Sequence, residues 1–317
     1  MSPVVVTDMP GRRVNLHRHL TADTLRDLRA RSTWRGVGMI VHCWSVIAAA
    51  MALVAWLPNP VTILFAIAVI GSRQLGLAIL MHEGAHGGLA VSPRVNMWLS
   101  QWLCGYPVAA DTLAYRAYHL EHHKYAQEEN DPDLHLSAKF PTTRASMRRK
   151  LIRDLTGQTG FKQRRSQLRA ALGKAGQPAQ ARLRHFRRAL GGPLIVNAVL
   201  FGILAFAGYW WLYPLLWVMP LLTWQQAVTR IRNIAEHAVL PLSDPWRLAR
   251  TTRVNWFTRA FLAPYWVNYH AEHHLLLYVP CYRLKRFHDV LAQAELVERL
   301  EVRGGYGETL RMATALG

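Results

Sequence analysis

Two long uncharged stretches dominate the hydropathy pattern of this 317-residue chain. Neither residues 37–72 nor residues 192–229 contain a Lys, Arg, Asp or Glu. A helix needs about 20 apolar residues to cross a bilayer core of about 30 Å, so each stretch is long enough for two passes. We therefore predict four transmembrane helices, at residues 37–57, 60–81, 192–211 and 214–231. Two buried hairpins in a large soluble protein are the alternative interpretation.

Shorter elements are predicted outside these spans. Residues 94–110 and 254–267 are apolar and rich in aromatic side chains, but they are too short to cross a membrane. Such segments are typical of helices that lie in the membrane interface. A short helix is also predicted around residues 21–31. The fold class that this pattern predicts is an all-α integral membrane protein.

The distribution of charge predicts the orientation. Residues 139–190 hold 15 Lys and Arg but only one acid, Asp154, in a chain with a formal net charge of +19. Basic segments of membrane proteins stay on the cytoplasmic side. In such a protein their expected partners are anionic lipid headgroups and not nucleic acid. The pattern predicts a multi-pass protein with both termini cytoplasmic, which we expect in a bacterial inner membrane.

This orientation divides the chain into three parts. Residues 1–36 would be a cytoplasmic N-terminal arm, residues 37–290 a membrane domain with a cytoplasmic helical cap, and residues 291–317 a cytoplasmic tail. The arm lacks the apolar core of a cleavable signal peptide. The first span is therefore expected to act as an uncleaved anchor.

Clustered histidines carry the candidate chemistry. Three clusters have spacings that place their imidazoles on one helical face, since residues i, i+3 and i+4 are neighbours on a helix. A further histidine follows Asn233 by one helical turn. Each group comes directly after a predicted span or interfacial stretch, so all four are expected to meet just below the membrane. The nine candidate metal ligands are His82, His86, His119, His122, His123, His237, His270, His273 and His274.

Nine imidazoles are too many for one ion, because a four-coordinate site takes at most four ligands. Two ions with four or five nitrogens each would use all nine. Imidazole suits zinc, copper, iron and nickel, whereas the three cysteines form no C-x-x-C pair and favour neither a thiolate site nor disulfides. Nearby acids are candidate acceptors for the second imidazole N–H. These acids are Glu83, Glu121, Glu236, Glu272, Asp131 and Asp133.

The histidine pattern resembles that of the membrane fatty acid desaturases, which are di-iron enzymes. Their H-x(3-4)-H, H-x(2-3)-H-H and late H-x(2-3)-H-H boxes match the three clusters in order. The Asn-Asp-Pro-Asp turn after His123 is similar to the turn that follows the second box in the family. Asn233 and His237 resemble the additional ligand pair of acyl-CoA desaturases, in which the Asn acts through a water molecule. The resemblance covers about residues 36–290.

The resemblance implies a reaction that consumes O2 and electrons at two iron ions. Its expected product is a double bond in a long fatty acyl chain, with hydroxylation of a lipid, alkane or carotenoid as the alternative. The chain carries no haem motif, cysteine cluster or nucleotide fingerprint of its own. An external electron donor of the ferredoxin, rubredoxin or cytochrome b5 type is therefore expected at the basic surface.

Two other functional classes compete with this interpretation. His82-Glu83-x-x-His86 matches the H-E-x-x-H zinc protease motif, in which the glutamate is the general base. A protease would leave the other two clusters unexplained. A metal transporter or a haem-binding subunit would instead hold its histidines within the spans.

Two further hypotheses concern residues inside the predicted spans. Arg73 either forms a hydrogen-bonded kink or lines a path for substrate or water, since an arginine in a membrane span rarely faces lipid. Thr223, Trp224 and Gln225 are candidate walls of a substrate tunnel, with ordinary packing as the alternative. The other six histidines are assigned to surface or packing roles: His17, His19, His42, His135, His185 and His288.

Overall fold

The computed structural model describes residues 14–241 and 244–316, and residues 1–13 of the predicted arm lie outside it. Helices make up most of the described chain. They are α1 Ala22–Leu28, α2 Thr33–Trp56, α3 Pro60–Ala85, α4 Pro93–Trp98, α5 Thr112–Tyr125, α6 Leu134–Ser137, α7 Arg144–Leu155, α8 Gln158–Ala171, α9 Ala179–Phe206, α10 Met219–Leu222, α11 Trp224–His237, α12 Trp256–Phe261, α13 His270–Leu275, α14 Leu284–Gln293 and α15 Tyr306–Ala313. Leu99–Gly105 and Tyr213–Val218 are π-helical, and short 3₁₀ turns occur at Leu16–Arg18, Tyr106–Val108, Pro264–Trp266, Cys281–Arg283 and Val297–Arg299.

Three helical stretches in the described ranges are long and apolar enough to cross a membrane: Ala22–Trp56, Pro60–Ala85 and Ala179–Phe206. The first contains α1 and α2, the second is α3 and the third is α9. About 61% of the most apolar window of α3 is buried inside the protein, but only 6% of that of α9. The position of α3 is therefore central, whereas α9 presents its apolar surface to its surroundings, as a lipid-facing helix does.

The fourth predicted span, residues 214–231, does not form one continuous helix. The segment is divided into the π-helix Tyr213–Val218, α10 and α11, and the break falls at Thr223, whose backbone has φ −119° and ψ −87°. Pro214 and Pro220 supply no N–H for a helical ladder. The hydroxyl of Thr223 donates to the carbonyl of Met219 at 2.7 Å.

The two interfacial stretches are built from short helical pieces, as their lengths predict. Residues 94–110 form α4, the first π-helix and a 3₁₀ turn, and residues 254–267 contain α12 and the turn Pro264–Trp266. The short helix predicted around residues 21–31 is α1. Arg73 is buried within the continuous helix α3, where its guanidinium donates to the carbonyl of Ala260 in α12 and lines a cavity.

The first turn of α2 lies very close to the backbone of the loop that follows α3. Gly36 in the first turn of α2 lies against the backbone of Leu89, and a methyl group added at Gly36 would be 1.9 Å from the Leu89 carbonyl oxygen. Only glycine fits there without moving one backbone away from the other. A methyl group at Gly38, two residues later, would meet nothing within 4 Å.

We therefore expect Gly36→Ala to lower the free energy of unfolding by about 1–3 kcal/mol, the usual cost of overpacking. The measurement is the unfolding temperature of the detergent-purified protein. Gly38→Ala is the matched control, and it should leave that temperature unchanged or slightly raised, since alanine favours a helix by about 0.5–1 kcal/mol over glycine. Equal effects of the two substitutions would show that this close approach does not matter.

The C-terminal segment packs against the membrane domain. Strand β1, Arg250–Thr252, pairs in parallel with β2, Glu301–Arg303, and these are the two named strands of the described chain. The buried Tyr306 begins α15, which lies against α11. The fold is thus helical as predicted, with one two-stranded sheet that connects the segment after α14 to the base of the histidine cluster.

Candidate metal centre

Four helices carry the candidate ligands. His82 lies in the last turn of α3 and His86 is its C-terminal capping residue. The second cluster occupies α5, which begins at the capping residue Asp111, and the third occupies the short α13. His237 is the last residue of α11. The helical spacing predicted for all three clusters is confirmed, and the four elements meet in one place.

Five imidazoles form the first group, and their candidate ligand atoms all lie within 4.8 Å of one another. His123 is at its centre, with its Nε2 2.8 Å from Nε2 of His119 and 3.0 Å from Nε2 of His273. All five residues are buried. The group consists of His82, His86, His119, His123 and His273.

The other four imidazoles form a second group beside the first. Nε2 of His237 lies 2.9 Å from Nε2 of His270, and the ring centroids of His237 and His274 are 4.9 Å apart. His122 closes the group, with its ring centroid 4.8 Å from that of His237. Asn233 lines the cavity that borders this group. The geometry therefore gives one compact group of five imidazoles and, beside it, two overlapping sets that share His237: His122, His237 and His274, and His237 and His270 with Glu236.

The donor atoms fit metal ions better than they fit one another. Two nitrogens at about 2.1 Å from a common ion and at right angles lie about 3 Å apart, which is the spacing of the three Nε2 pairs. Both nitrogens of His86, and Nε2 of His82 and of His274, are buried without a hydrogen-bond partner among the described residues. A buried polar atom without a partner is costly. Metal ions in the two groups would remove that cost.

The protonation states also suit metal binding. Burial lowers the pKa of His86 to about 3. Burial, followed by repulsion from neighbouring imidazoles, lowers the pKa of His119, His123 and His273 well below the usual 6.5. An imidazole must be neutral to bind a metal ion. At neutral pH these side chains therefore present lone pairs and not charges.

Asp131 orients His122, as the sequence predicts for an acid in the Asn-Asp-Pro-Asp turn. Nδ1 of His122 donates to Oδ1 of Asp131 at 2.8 Å. The backbone amides of Gln127 and Asp133 donate to the same carboxylate at 2.9 and 2.8 Å. Burial opposes ionisation of Asp131, but these hydrogen bonds keep the pKa of the carboxyl below its usual range. Because Nδ1 is occupied, Nε2 of His122 is the atom left for a metal.

The predicted glutamate partners differ in what they contact. The fully buried Glu272 accepts from the hydroxyl of Thr251 and from Nδ1 of His288. His288, which the sequence assigned to a surface or packing role, therefore hydrogen-bonds a residue of the third cluster. Nothing in its spacing could have shown this, since the partner lies 16 residues away on another helix.

Glu236 and Glu83 are both buried, but only Glu236 faces the histidines. Oε2 of Glu236 lies 3.6 Å from Nε2 of His270, and Oε1 accepts from Nε of Arg232 at 2.6 Å. Burial raises the pKa of the Glu236 carboxyl to about 7, although Arg232 opposes the shift. Glu83 packs against the backbone of Gly88 and hydrogen-bonds Cys281. Glu121 is exposed on α5.

Several contacts to the cluster come from residues that the sequence did not single out. The ring of Tyr115 stacks on His119, and its hydroxyl lies 3.3 Å from Nδ1 of that residue. The side-chain amide of Gln127 lies 3.4 Å from Nδ1 of His237. Tyr115 precedes His119 by one helical turn, so helical spacing was the one signal that could have indicated it.

The comparison with protein families agrees with this geometry. The model of the family described as "Fatty acid desaturase" matches residues 54–303, which contain all nine histidines. The chain belongs to the fatty acid desaturase family. One similar protein is the dihydrorhizobitoxine desaturase of Bradyrhizobium elkanii, which is 27% identical over 275 residues that cover 81% of this chain and 75% of the relative.

Membership of this family identifies the protein as an oxidoreductase. The zinc protease alternative is wrong, because the glutamate of its motif, Glu83, faces Gly88 and Cys281 instead of the histidines. His82 and His86 are also joined by imidazoles from two other helices within the first group. The family, the buried histidine clusters and the apolar helices together support a metal-dependent membrane enzyme.

Proposed function

We propose that this protein is a membrane-bound desaturase that holds two iron ions. The observation that supports this most directly is one compact group of five buried imidazoles with the other four histidines directly beside it. The proposed ligands of one ion are His82, His86, His119, His123 and His273. Those of the other are His122, His237, His270 and His274, with Asn233 acting through a water molecule. Iron is preferred among the metals that imidazole suits because the reaction uses O2.

The overall reaction removes two hydrogens from adjacent methylene groups. R–CH2–CH2–R′, O2, two electrons and two protons give R–CH=CH–R′ and two molecules of water. The iron ions would supply the activation of O2. The protein supplies a buried site, a fixed orientation of His122 through Asp131, and a cavity against His82, His119 and His270 in which the substrate can lie.

Desaturation is favoured over hydroxylation, which the sequence left open, by the name of the relative. The Bradyrhizobium elkanii protein is a desaturase, and its identity of 27% supports the type of reaction more strongly than the substrate. Family membership implies a lipid substrate and association with a membrane. The predicted long acyl chain would have to reach the histidines through the cavity beside them, which has a volume of about 260 Å³.

The four-span topology, the cytoplasmic position of both termini and the external electron donor complete the proposal. Residues 214–231 would make the fourth crossing, and directly after the break at Thr223 the indole of Trp224 packs on α3, where it donates to the hydroxyl of Ser72 at 3.2 Å. A ferredoxin, rubredoxin or cytochrome b5 type donor would approach the basic face that α7 and α8 contribute. Charge complementarity would speed its encounter.

A test of this proposal is to measure iron and product together. We expect close to two iron ions per chain after anaerobic loading of the purified protein. We also expect O2-dependent formation of an alkene, detected by mass spectrometry, when membranes that contain the protein are supplied with a reductase and ferredoxin. One zinc ion per chain, or product formation that continues without O2, would contradict the proposal.

A further inference from the structure

The cavity beside the histidines is small, with a polar wall on one side and an apolar wall on the other. Its volume of about 260 Å³ lies below the range of about 300–1,000 Å³ that is usual for pockets that hold drug-sized ligands. One face of α11 supplies much of the lining, because its polar residues recur at helical spacing. They are Gln225, Thr229, Arg232, Asn233 and Glu236. A hydrocarbon chain gains little from this wall, since burying the polar groups of α11 against it leaves them without partners.

A larger apolar cavity exists, but it does not reach the candidate ligands. It has a volume of about 780 Å³, and apolar residues of α2, α3, α12 and the segment after α12 contribute to its walls. Examples are Met39, Val69 and Phe261, and none of the nine candidate ligands is among its lining residues. The space that suits an acyl chain by size is therefore separate from the space that touches the histidines.

Arg232 provides the small cavity with an anchor for an anion. Its Nε donates to Oε1 of Glu236 at 2.6 Å, which fixes the guanidinium, and the side chain lines the cavity. The side chain is only 16% exposed. A guanidinium with two parallel N–H groups matches the geometry of a carboxylate. The terminal nitrogens thus offer a two-point site for an anionic group.

The anchor is close to the proposed iron ions. Glu236 contacts both Arg232, at 2.6 Å, and Nε2 of His270, at 3.6 Å. A carboxylate on Arg232 would therefore lie only one side chain away from a ligand of the second ion. The carbon atoms within reach of the ions would be those a few bonds from that carboxylate, and not those in the middle of a long chain.

The opening of the cavity also indicates a soluble substrate. Among its lining residues, Tyr118 and Leu136 are the two exposed ones, with 39% and 41% of their surface accessible. They belong to α5 and α6, which lie outside the three apolar stretches. The carboxylate of Asp133 accepts from the Tyr118 hydroxyl at this opening. A molecule dissolved in water could enter here without passing through the bilayer.

We propose that the substrate is a small, water-soluble molecule with a carboxylate that Arg232 binds, and that it is desaturated within a few bonds of that carboxylate. This inference rests on the proposed desaturase function. It replaces the long fatty acyl chain predicted from the sequence. The apolar wall formed by Leu75, Ala78 and Met81 would contact the methylene groups, while the face of α11 binds the polar end.

The test uses the full-length, iron-loaded protein in lipid nanodiscs and four probes at equal concentration. Three have the same chain length: hexanoate, 2-aminohexanoate and hexylamine. The fourth is stearoyl-CoA. We expect hexanoate and 2-aminohexanoate to raise the unfolding temperature, since a ligand that binds the folded state stabilises it. Hexylamine and stearoyl-CoA should leave it unchanged.

Arg232→Lys keeps the charge beside Glu236 but removes the paired N–H groups. We expect this variant to bind hexanoate at least about tenfold more weakly, as is usual when a charge-assisted hydrogen bond is lost. Its iron content should equal that of the wild type. Arg230→Lys is the matched control, because Arg230 lies on the same helix but pairs with Asp154 on α7. It should bind hexanoate normally.

The outcomes separate this inference from the proposed function. Stabilisation by stearoyl-CoA but not by hexanoate would overturn the small-substrate inference and leave the di-iron desaturase intact. Equal stabilisation by hexanoate and hexylamine would also overturn it, because the carboxylate would then make no difference. Failure of the wild-type protein to bind iron would instead contradict the proposed function, while the hexanoate measurement on the iron-free protein would still test the role of Arg232.

Discussion

His123→Ala is expected to abolish product formation and to lower the bound iron, while the protein still inserts in the membrane. His123 is central to the first group and its ring is also 4.3 Å, centroid to centroid, from His274 in the second. Loss of an outer-sphere partner already costs about 10–100-fold in activity or metal affinity. Loss of this ligand should cost more than about 100-fold. Product is measured by mass spectrometry and iron by elemental analysis.

His135→Ala is the control for this variant. His135 is an exposed histidine on α6, where its ring contacts the carbonyl of Pro132 at 2.9 Å, outside both groups. Its removal should leave iron content and product within about twofold of the wild type, as for most surface substitutions. Normal turnover by His123→Ala would contradict the ligand assignment. A variant that lost product but kept both iron ions would assign His123 a role other than metal binding.

Asp131→Asn is expected to lower product formation by about 10–100-fold, the usual effect of removing the acceptor behind a metal-bound imidazole. Asparagine has nearly the same shape, but one of its terminal atoms becomes a donor. Both carboxylate oxygens of Asp131 accept N–H groups, from His122 and from the backbone of Gln127 and Asp133. One donor would therefore face another, and His122 would lose its fixed orientation.

Glu129→Gln is the matched control for the Asp131 variant. Glu129 is an exposed carboxylate two residues earlier in the same turn. The same chemical change there should leave activity and iron content unaltered. Similar losses in both variants would attribute the effect to the loop as a whole and remove the argument for a specific hydrogen bond to His122.

The sequence was most informative where a pattern repeats over a short distance. Histidines at i, i+3 and i+4 predicted that each cluster shares a helical face, and α5 and α13 have that form. The turn after the second cluster offered Asp131 or Asp133 as an acceptor, and it is Asp131 that accepts from His122. Periodicity was less informative at residues 214–231, where two prolines and the break at Thr223 divide an uncharged stretch that satisfies the length criterion.

Contacts between distant segments could not be predicted from spacing. The three residues predicted as tunnel wall show this most clearly. Gln225 lines the cavity beside the histidines, whereas Trp224 packs on α3 and Thr223 caps the end of α10. Tyr306 was placed in a C-terminal tail, yet it is buried behind α11 near Arg232 and Glu236. The buried pair Arg232 and Glu236 needs polar or close-packed neighbours from the segment that lies over it. The sequence does not show which segment that is.

The amino-acid order alone determined the types of ligand, their grouping on helices, the apolar helices and the family. These properties depend on local geometry and on the cost of exposing polar backbone to lipid, and both can be read along the chain. Tertiary structure decided which five imidazoles form the compact group, the pairing of Glu272 with His288, and the small cavity beside Arg232. Helical periodicity fixes which way a side chain faces, but the packing of remote helices determines what it meets.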